Sequence, residues 1–158
     1  MSELVVYTIG HGRQSFAEFY ELLRAFRIEL VCDVRSFARS RWVQFNGQVL
    51  AGALNACGIG YDFVPECGGK IVAPQADLAR GLDRIVELAS DVRTAIMCSE
   101  SQPLTKHKLP RANCHRVGLL AVGLKERGAR VIHILPNGEA LEMDERSVPS
   151  VWSNEPRG

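Results

Sequence analysis

The chain predicts an α/β fold: a single domain built on a mainly parallel sheet of about five strands flanked by helices, Rossmann-like and three-layered. Three observations carry this expectation. Short apolar runs of strand length alternate with amphipathic segments of helical period. No repeat or linker divides the 158 residues. The segments that follow the apolar runs hold the polar, chemically capable residues, as expected of a sheet whose ligand site lies beyond the carboxyl ends of its strands.

Each element has its own signal. Leu4 to Ile9 is an apolar run ending at Gly10, which suits a buried strand. Ser15-Phe16-Ala17-Glu18 reads as a capping box, and Phe16, Phe19, Tyr20 and Leu23 follow at helical spacing to about Phe26. Ile28 to Val34 is the second strand, followed by an arginine-rich loop from Arg35 to Phe45. Asn46 is placed to cap a helix with face Val49, Leu50, Ala53, Leu54 and Cys57, closed by Gly58. Ile59 to Val64 is the third strand, and Pro65 to Pro74, with Gly68-Gly69, reads as loop. Leu78, Leu82, Ile85, Val86 and Ala89 mark a further helix, Thr94 to Cys98 the fourth strand, and Ser99 to about Ala112 a polar loop. Asn113 is placed to cap a helix carrying Val117, Leu120, Ala121 and Leu124, closed by Gly128. Val131 to Leu135 is the fifth strand. Residues 1–135 thus form the α/β domain, with 136–158 as a C-terminal extension or edge element.

Composition narrows the function classes. Hydrophobic residues are 46% and charged residues 23%, ordinary for a globular protein. Nineteen basic against 18 acidic residues leave a net charge of +1, which excludes a generally basic nucleic-acid coat and an acidic tail. No apolar run reaches the roughly 18 residues of a membrane span, and Met1-Ser2-Glu3-Leu4 lacks the start of a signal peptide, so a cytoplasmic location is expected. The five cysteines, at 32, 57, 67, 98 and 114, are odd in number and form no Cys-x-x-Cys pair. Reduced thiols are therefore expected rather than a disulfide frame.

Several motifs together resemble one family: Thr8-Ile9-Gly10-His11, Asp33-Val34-Arg35-Ser36, Phe45-Asn46 with Leu50, Gly58-Ile59-Gly60-Tyr61, Gly68-Gly69, Met97-Cys98-Ser99-Glu100 and Cys114-His115-Arg116. The combination resembles the domain of unknown function 488 over roughly residues 5 to 134. The resemblance implies a small α/β domain and carries no settled activity. The chain departs from the family pattern at Ala38, where members often have proline, and at Cys67, where they often have leucine. The segment between Glu100 and Cys114 is longer than in many members.

The candidate catalytic residues are Cys98, Glu100, Cys114 and His11. Cys98 ends a strand beside Glu100, at the expected ligand edge. Cys114 falls in a helix's first turn, where free N–H groups and the helix dipole stabilise a thiolate, with His115 and Arg116 adding positive charge. His11, between Gly10 and Gly12, serves as general base, metal ligand or turn residue. Gly10-His11-Gly12 matches neither a phosphate loop nor a dinucleotide fingerprint.

The candidate ligand-binding residues are Gly10, Asp33, Arg35, Arg39, Arg41, His115 and Arg116. Arg116 at a helix start suits a phosphate or carboxylate clamp. Asp33 and Arg35 alternate at a strand end, so their side chains are expected on opposite sides; Asp33 orients a histidine or arginine, or forms a buried ion pair. Arg35, Arg39 and Arg41 interleave with Trp42 and Phe45 in a manner that suits nucleotides or single-stranded nucleic acid. His107, between Lys106 and Lys108, reads as exposed and His133 as a core histidine; Cys32 and Cys57 read as packing residues, and Cys67 is left open.

These residues favour a small enzyme acting on an anionic molecule or nucleotide, a transferase or hydrolase with a cysteine nucleophile. Two alternatives stand beside it. One is a zinc or iron site drawn from Cys98, Cys114, His115 and His11, at spacings unlike a standard finger. The other is a nucleic-acid-binding module on the Arg35 to Trp42 loop, against which the near-neutral charge weighs. No cofactor, oligomeric state or particular substrate follows from the residues, and a membrane partner is not expected.

Overall fold

The computed structural model describes residues 3–69, 74–106 and 109–150. His107, expected to be exposed, lies outside these residues. Six strands form one sheet: β1 (Val5–Gly10), β2 (Leu30–Asp33), β3 (Gly60–Phe63), β4 (Thr94–Cys98), β5 (Arg130–Ile134) and β6 (Ala140–Leu141). Their order is β3-β2-β4-β1-β5-β6. The first five run parallel, and β6 adds an antiparallel edge through His133↔Leu141 and Ile134↔Ala140. The stretch after Pro136 thus supplies a sixth strand rather than only a tail, followed by a 3₁₀ turn at Glu145–Ser147.

The α-helices are α1 (Phe16–Ala25), α2 (Gly47–Ala56), α3 (Gln75–Asp91) and α4 (Ala121–Glu126). The Ser15 capping box forms as predicted: Ser15 Oγ accepts from the Glu18 N–H, and Glu18 Oε1 from the Ser15 N–H, both at 3.1 Å. Asn46 stands at the N-cap of α2, but its Oδ1 accepts from the Ser40 N–H at 2.7 Å and pins the arginine loop instead of the helix. Gly58 (φ +80°) and Gly128 (φ +86°) take the left-handed conformation just past α2 and α4. The predicted cap at Asn113 does not form; its side-chain amide donates to Gln102 O at 3.2 Å. The chain enters α4 through a π-helical turn, Arg116–Leu120, a wider coil than the α-helix expected there.

The two faces of the sheet carry separate cores. Val31, Ala95, Met97, Tyr7 and Ile9 pack with Phe19 and Leu23 of α1 and Leu50 and Leu54 of α2. Val6, Cys32, Ile96, Cys98 and Val131 pack with Leu78, Leu82 and Ile85 of α3 and with Val117 to Leu124. Burying each large side chain contributes about 1.5–3 kcal/mol. Connections toward β3 cover one face and connections back toward β5 cover the other, as right-handed crossovers require. At the adjacent strands β1 and β4 the outgoing chains therefore part to opposite faces, which opens a crevice at their carboxyl ends. No helix of the described residues is long and apolar enough to cross a membrane.

Candidate functional site

Strand parity decides which side chains meet at this crevice. Neighbours along a strand point to opposite faces. Cys98, Ile96 and Thr8 point toward the α3–α4 face, and His11 falls on the α1–α2 side. The two loops are stitched together: His11 N–H donates to Cys98 O (3.0 Å), and Gly12 N–H to Ser99 O (2.9 Å). Gly10 is required by this contact, because a Cβ there would lie 1.7 Å from Glu100 O.

On the α3–α4 side, Cys98 and Cys114 bring their sulfurs within 3.5 Å. Arg116 Nε donates to Cys98 Sγ at 3.1 Å. Its other donors reach Thr8 Oγ1 (2.6 Å), Glu100 O (2.9 Å) and Ser101 O (3.3 Å). Arg116 is fully buried, and no described carboxylate forms a salt bridge with it. A buried guanidinium without an anion is costly. Cys98 as thiolate supplies that anion. Burial alone would raise the Cys98 thiol; the hydrogen bond from Cys114 and the Arg116 charge, with a smaller contribution from His115, outweigh it and bring it down to about 5. The same hydrogen bond, together with burial, holds the Cys114 thiol well above its ordinary value. The roles expected from the sequence are thus exchanged: Cys114 precedes the helical turn instead of lying within it, and the sulfur favoured as thiolate is Cys98.

A further network backs Arg116. Because Arg116 can only donate, Thr8 Oγ1 accepts from it and turns its own hydrogen to His133 Nδ1 (2.6 Å). His133 Nε2–H then donates to Glu145 Oε1 (2.9 Å), and Glu145 pairs with Lys125 at 2.5 Å. Thr8 entered the sequence reading only as part of a motif, without this role, and Glu145 and Lys125 did not enter it. The wide spacing of these residues offered no motif; only the Thr8↔His133 register reveals the link.

Cys98 and Cys114 line a cavity of about 690 Å³ with Glu100, His115, Arg35 and Arg39. The Glu100 carboxylate accepts from the Gln102 N–H at 3.0 Å. His115 is anchored by a 2.9 Å bond from Nε2 to Val34 O, and Gly69 packs so tightly on its ring that a Cβ would come within 2.5 Å. Arg116 is neither a surface arginine nor an open clamp, since its donors are engaged.

A second cavity of about 590 Å³ adjoins the first through Arg39, Ser99 and Glu100, and is bordered by His11, Arg13, Arg41 and Trp42. His11 is buried and stacked on Phe45, with ring centroids 4.3 Å apart. Burial pushes it down to about 4, so it is neutral at pH 7. Its Nδ1 is 2.9 Å from Gly12 O and therefore carries the hydrogen, leaving Nε2 as an acceptor with no partner among the described residues. His11 and Cys98 do not share a cavity.

Asp33 and Arg35 do not face opposite sides. Alternation places residues two apart on the same side, so the expectation of opposite sides misapplies it; Arg35, just past β2, folds back on Asp33: Nε to Oδ1 at 2.9 Å and Nη2 to Oδ2 at 2.7 Å. Tyr61 Oη donates to the same carboxylate at 2.5 Å. Asp33 is thus the anion of a buried ion pair, and Tyr61 is a partner the sequence reading missed. Arg39 and Arg41 remain exposed, without a salt bridge among the described residues. Cys32 and Cys67 are buried, and burial raises each thiol to about 12, whereas Cys57, expected to pack, is exposed. No group of three His, Cys, Asp or Glu side chains that could hold a metal ion occurs among the described residues. His115 and His11 both turn a ring nitrogen to backbone carbonyls rather than toward the paired sulfurs.

Comparison with known proteins adds one match. The family model of the domain of unknown function DUF488 matches residues 15–76, from α1 to the start of α3. This is the family its motifs resemble, and the matched stretch ends before Cys98. No curated protein and no solved structure matches the chain.

Proposed function

We propose that this chain, whose residues 15–76 match the DUF488 family, is an enzyme that uses Cys98 as a nucleophile on a small anionic substrate. The observation that carries this reading is the 3.1 Å bond from the buried Arg116 Nε to Cys98 Sγ, with no carboxylate salt-bridged to Arg116 among the described residues. The pairing keeps a thiolate at neutral pH on the wall of a cavity about 690 Å³ in volume. Arg39, on both cavities and free of a described acid, draws the substrate's anionic group. The Cys98 sulfur attacks the electrophilic atom, and the leaving group departs with its bonding pair and takes a proton from solvent. An acceptor such as water then removes the transferred group and releases the thiolate. Glu100, which faces both cavities, takes the acceptor's proton.

Iodoacetamide labelling with peptide mapping tests the reading. At pH 6 to 7 Cys98 is expected to react ahead of the exposed Cys57, with inorganic phosphate or a nucleoside monophosphate slowing Cys98 alone. Labelling of Cys98 no faster than Cys57 at pH 6 overturns it.

A further inference from the structure

Resting on the same thiolate but requiring no anionic substrate, the geometry points to a second activity: Cys98 and Cys114 act as a dithiol that reduces a small hydroperoxide and closes to a disulfide. The pair has the asymmetry that such chemistry needs. Cys98 is held as thiolate by Arg116, while Cys114 keeps its proton and points that hydrogen at the Cys98 sulfur. The sulfurs already touch at 3.5 Å, so closure to a bond of about 2.05 Å needs no partner chain. Cys114 precedes a π-helical turn and its carbonyl accepts from the Val117 N–H (3.2 Å) and Gly118 N–H (3.1 Å), so the approach is made by its side chain over a backbone held in place.

The oxidant must be small. Cys98 is 2% exposed and Cys114 8%, both on a cavity wall, so a protein disulfide has no approach to either sulfur. A hydroperoxide fits. The Cys98 thiolate attacks its terminal oxygen; an S–O bond forms, the O–O bond breaks, and the alkoxide leaves with the electron pair beside the Arg116 charge, then takes a proton from solvent. Cys98 is now a sulfenic acid. The Cys114 sulfur attacks the Cys98 sulfur, an S–S bond forms, and the hydroxyl departs with the Cys114 proton as water. Two thiol sulfurs have been oxidised by two electrons and the peroxide reduced to alcohol and water. A dithiol reductant restores both thiols by becoming a disulfide itself. Cys32 and Cys67, whose thiols burial holds protonated against the weaker pull of Arg84 and Arg127, do not compete.

The test treats the reduced full-length chain with one equivalent of hydrogen peroxide at pH 7. The expected result is loss of two of the five thiols, a mass lower by two hydrogens, and a mapped Cys98–Cys114 link reversed by dithiothreitol. The rate is expected to exceed that of free cysteine about tenfold, since a larger share of the sulfur is thiolate. In Cys114→Ser the reaction is expected to stop at a Cys98 sulfenic acid that dimedone traps. A rate no faster than free cysteine, or a dimedone adduct on wild-type Cys98 without a disulfide, overturns the inference. If Cys114→Ser does not fold, the wild-type map decides alone. Selective iodoacetamide labelling of Cys98 without peroxide-driven linkage would sink the dithiol activity and leave the nucleophile reading standing. Absence of both would remove the two together.

Discussion

The molecule buries two arginines near the same crevice, and they are balanced in different ways. Arg35 meets Asp33 through two parallel hydrogen bonds, and Tyr61 donates to the same carboxylate. That pair is complete in itself. Arg116 is buried more deeply, yet its charged partner is a sulfur, and its other acceptors are a hydroxyl and two backbone carbonyls. A carboxylate makes Arg35 part of the scaffold. A thiol, whose ordinary range lies above neutrality, makes Arg116 a device for holding reactive charge. The difference separates an ion pair that shapes the arginine loop from one that equips a site.

The largest expected effect comes from breaking the complete pair. Asp33→Ala leaves Arg35 buried without its anion and is expected to cost about 3–5 kcal/mol in urea unfolding. Adding Arg35→Met should return much of that loss, because an apolar pair of similar volume removes the stranded charge. If the single variant costs under about 1 kcal/mol, Arg35 has another route to compensation and the contrast between the two arginines weakens.

Arg116→Gln probes the other side. With the cation gone, the Cys98 thiol is expected to climb from about 5 toward its ordinary range near 9. The thiolate fraction at pH 7, and with it iodoacetamide labelling, then falls about 100-fold. Arg116→Lys keeps the charge but loses the fork of donors, so an intermediate loss is expected. A labelling midpoint that stays put in both variants would show that Arg116 is not what holds the thiolate.

Linkage gives the third expectation. Cys98 has a folded value of about 5, below its unfolded value near 8.5. A depressed group of this kind contributes stability fully above its unfolded value, and loses it as pH falls toward the folded one. His11 and His133, both lowered by burial, act in the same direction only below about pH 6.5. The raised thiols of Cys32, Cys67 and Cys114 act in the opposite direction as pH approaches their unfolded value near 8.5, so Cys98 dominates only between about pH 6.5 and 7.5. Wild-type stability should rise there by at most about 1.4 kcal/mol per pH unit, and Cys98→Ser should flatten the slope. An equal slope in both proteins would remove the thiolate from the account.

How much of this was legible beforehand follows from distance along the chain. The strands and α1 to α3 were readable within a few residues, because period and capping are local properties: Ser15 with Glu18, or Leu78 with Leu82 and Ile85. Cys98, Glu100 and Arg116 were readable as candidates because the crevice rule points at strand ends. Their roles were not. Which sulfur carries the charge depends on a guanidinium 18 residues away reaching under β4, and no spacing rule encodes that. The separation of His11 from Cys98 was implicit in strand parity, but only once the β1–β4 register was known. The Asp33–Arg35 clamp agrees with the same parity rule, which puts residues two apart on one side; the expectation of opposite sides misapplies it. The π-helical turn and the Thr8–His133–Glu145 chain depend on tertiary contact alone.

The smallest change sharpens the comparison most. Tyr61→Phe removes one hydroxyl, which donates to Asp33 Oδ2 at 2.5 Å, and keeps the ring that packs against the α1–α2 core. A hydrogen bond to a charged acceptor contributes about 1.5–3 kcal/mol, and because Tyr61 is only half-buried, water can partly replace it, so a loss near the lower end is expected. The Asp33–Arg35 clamp keeps both of its own bonds in this variant. Asp33 and Tyr61 lie toward the α1–α2 side, while Cys98 points to the α3–α4 face, so the pH midpoint of Cys98 labelling should not move. Arg35 is the one member of the clamp that also lines the Cys98 cavity. A midpoint displaced by Tyr61→Phe would therefore mean that the two arginines form one electrostatic unit, coupled through Arg35. The scaffold pair would then itself tune the thiolate.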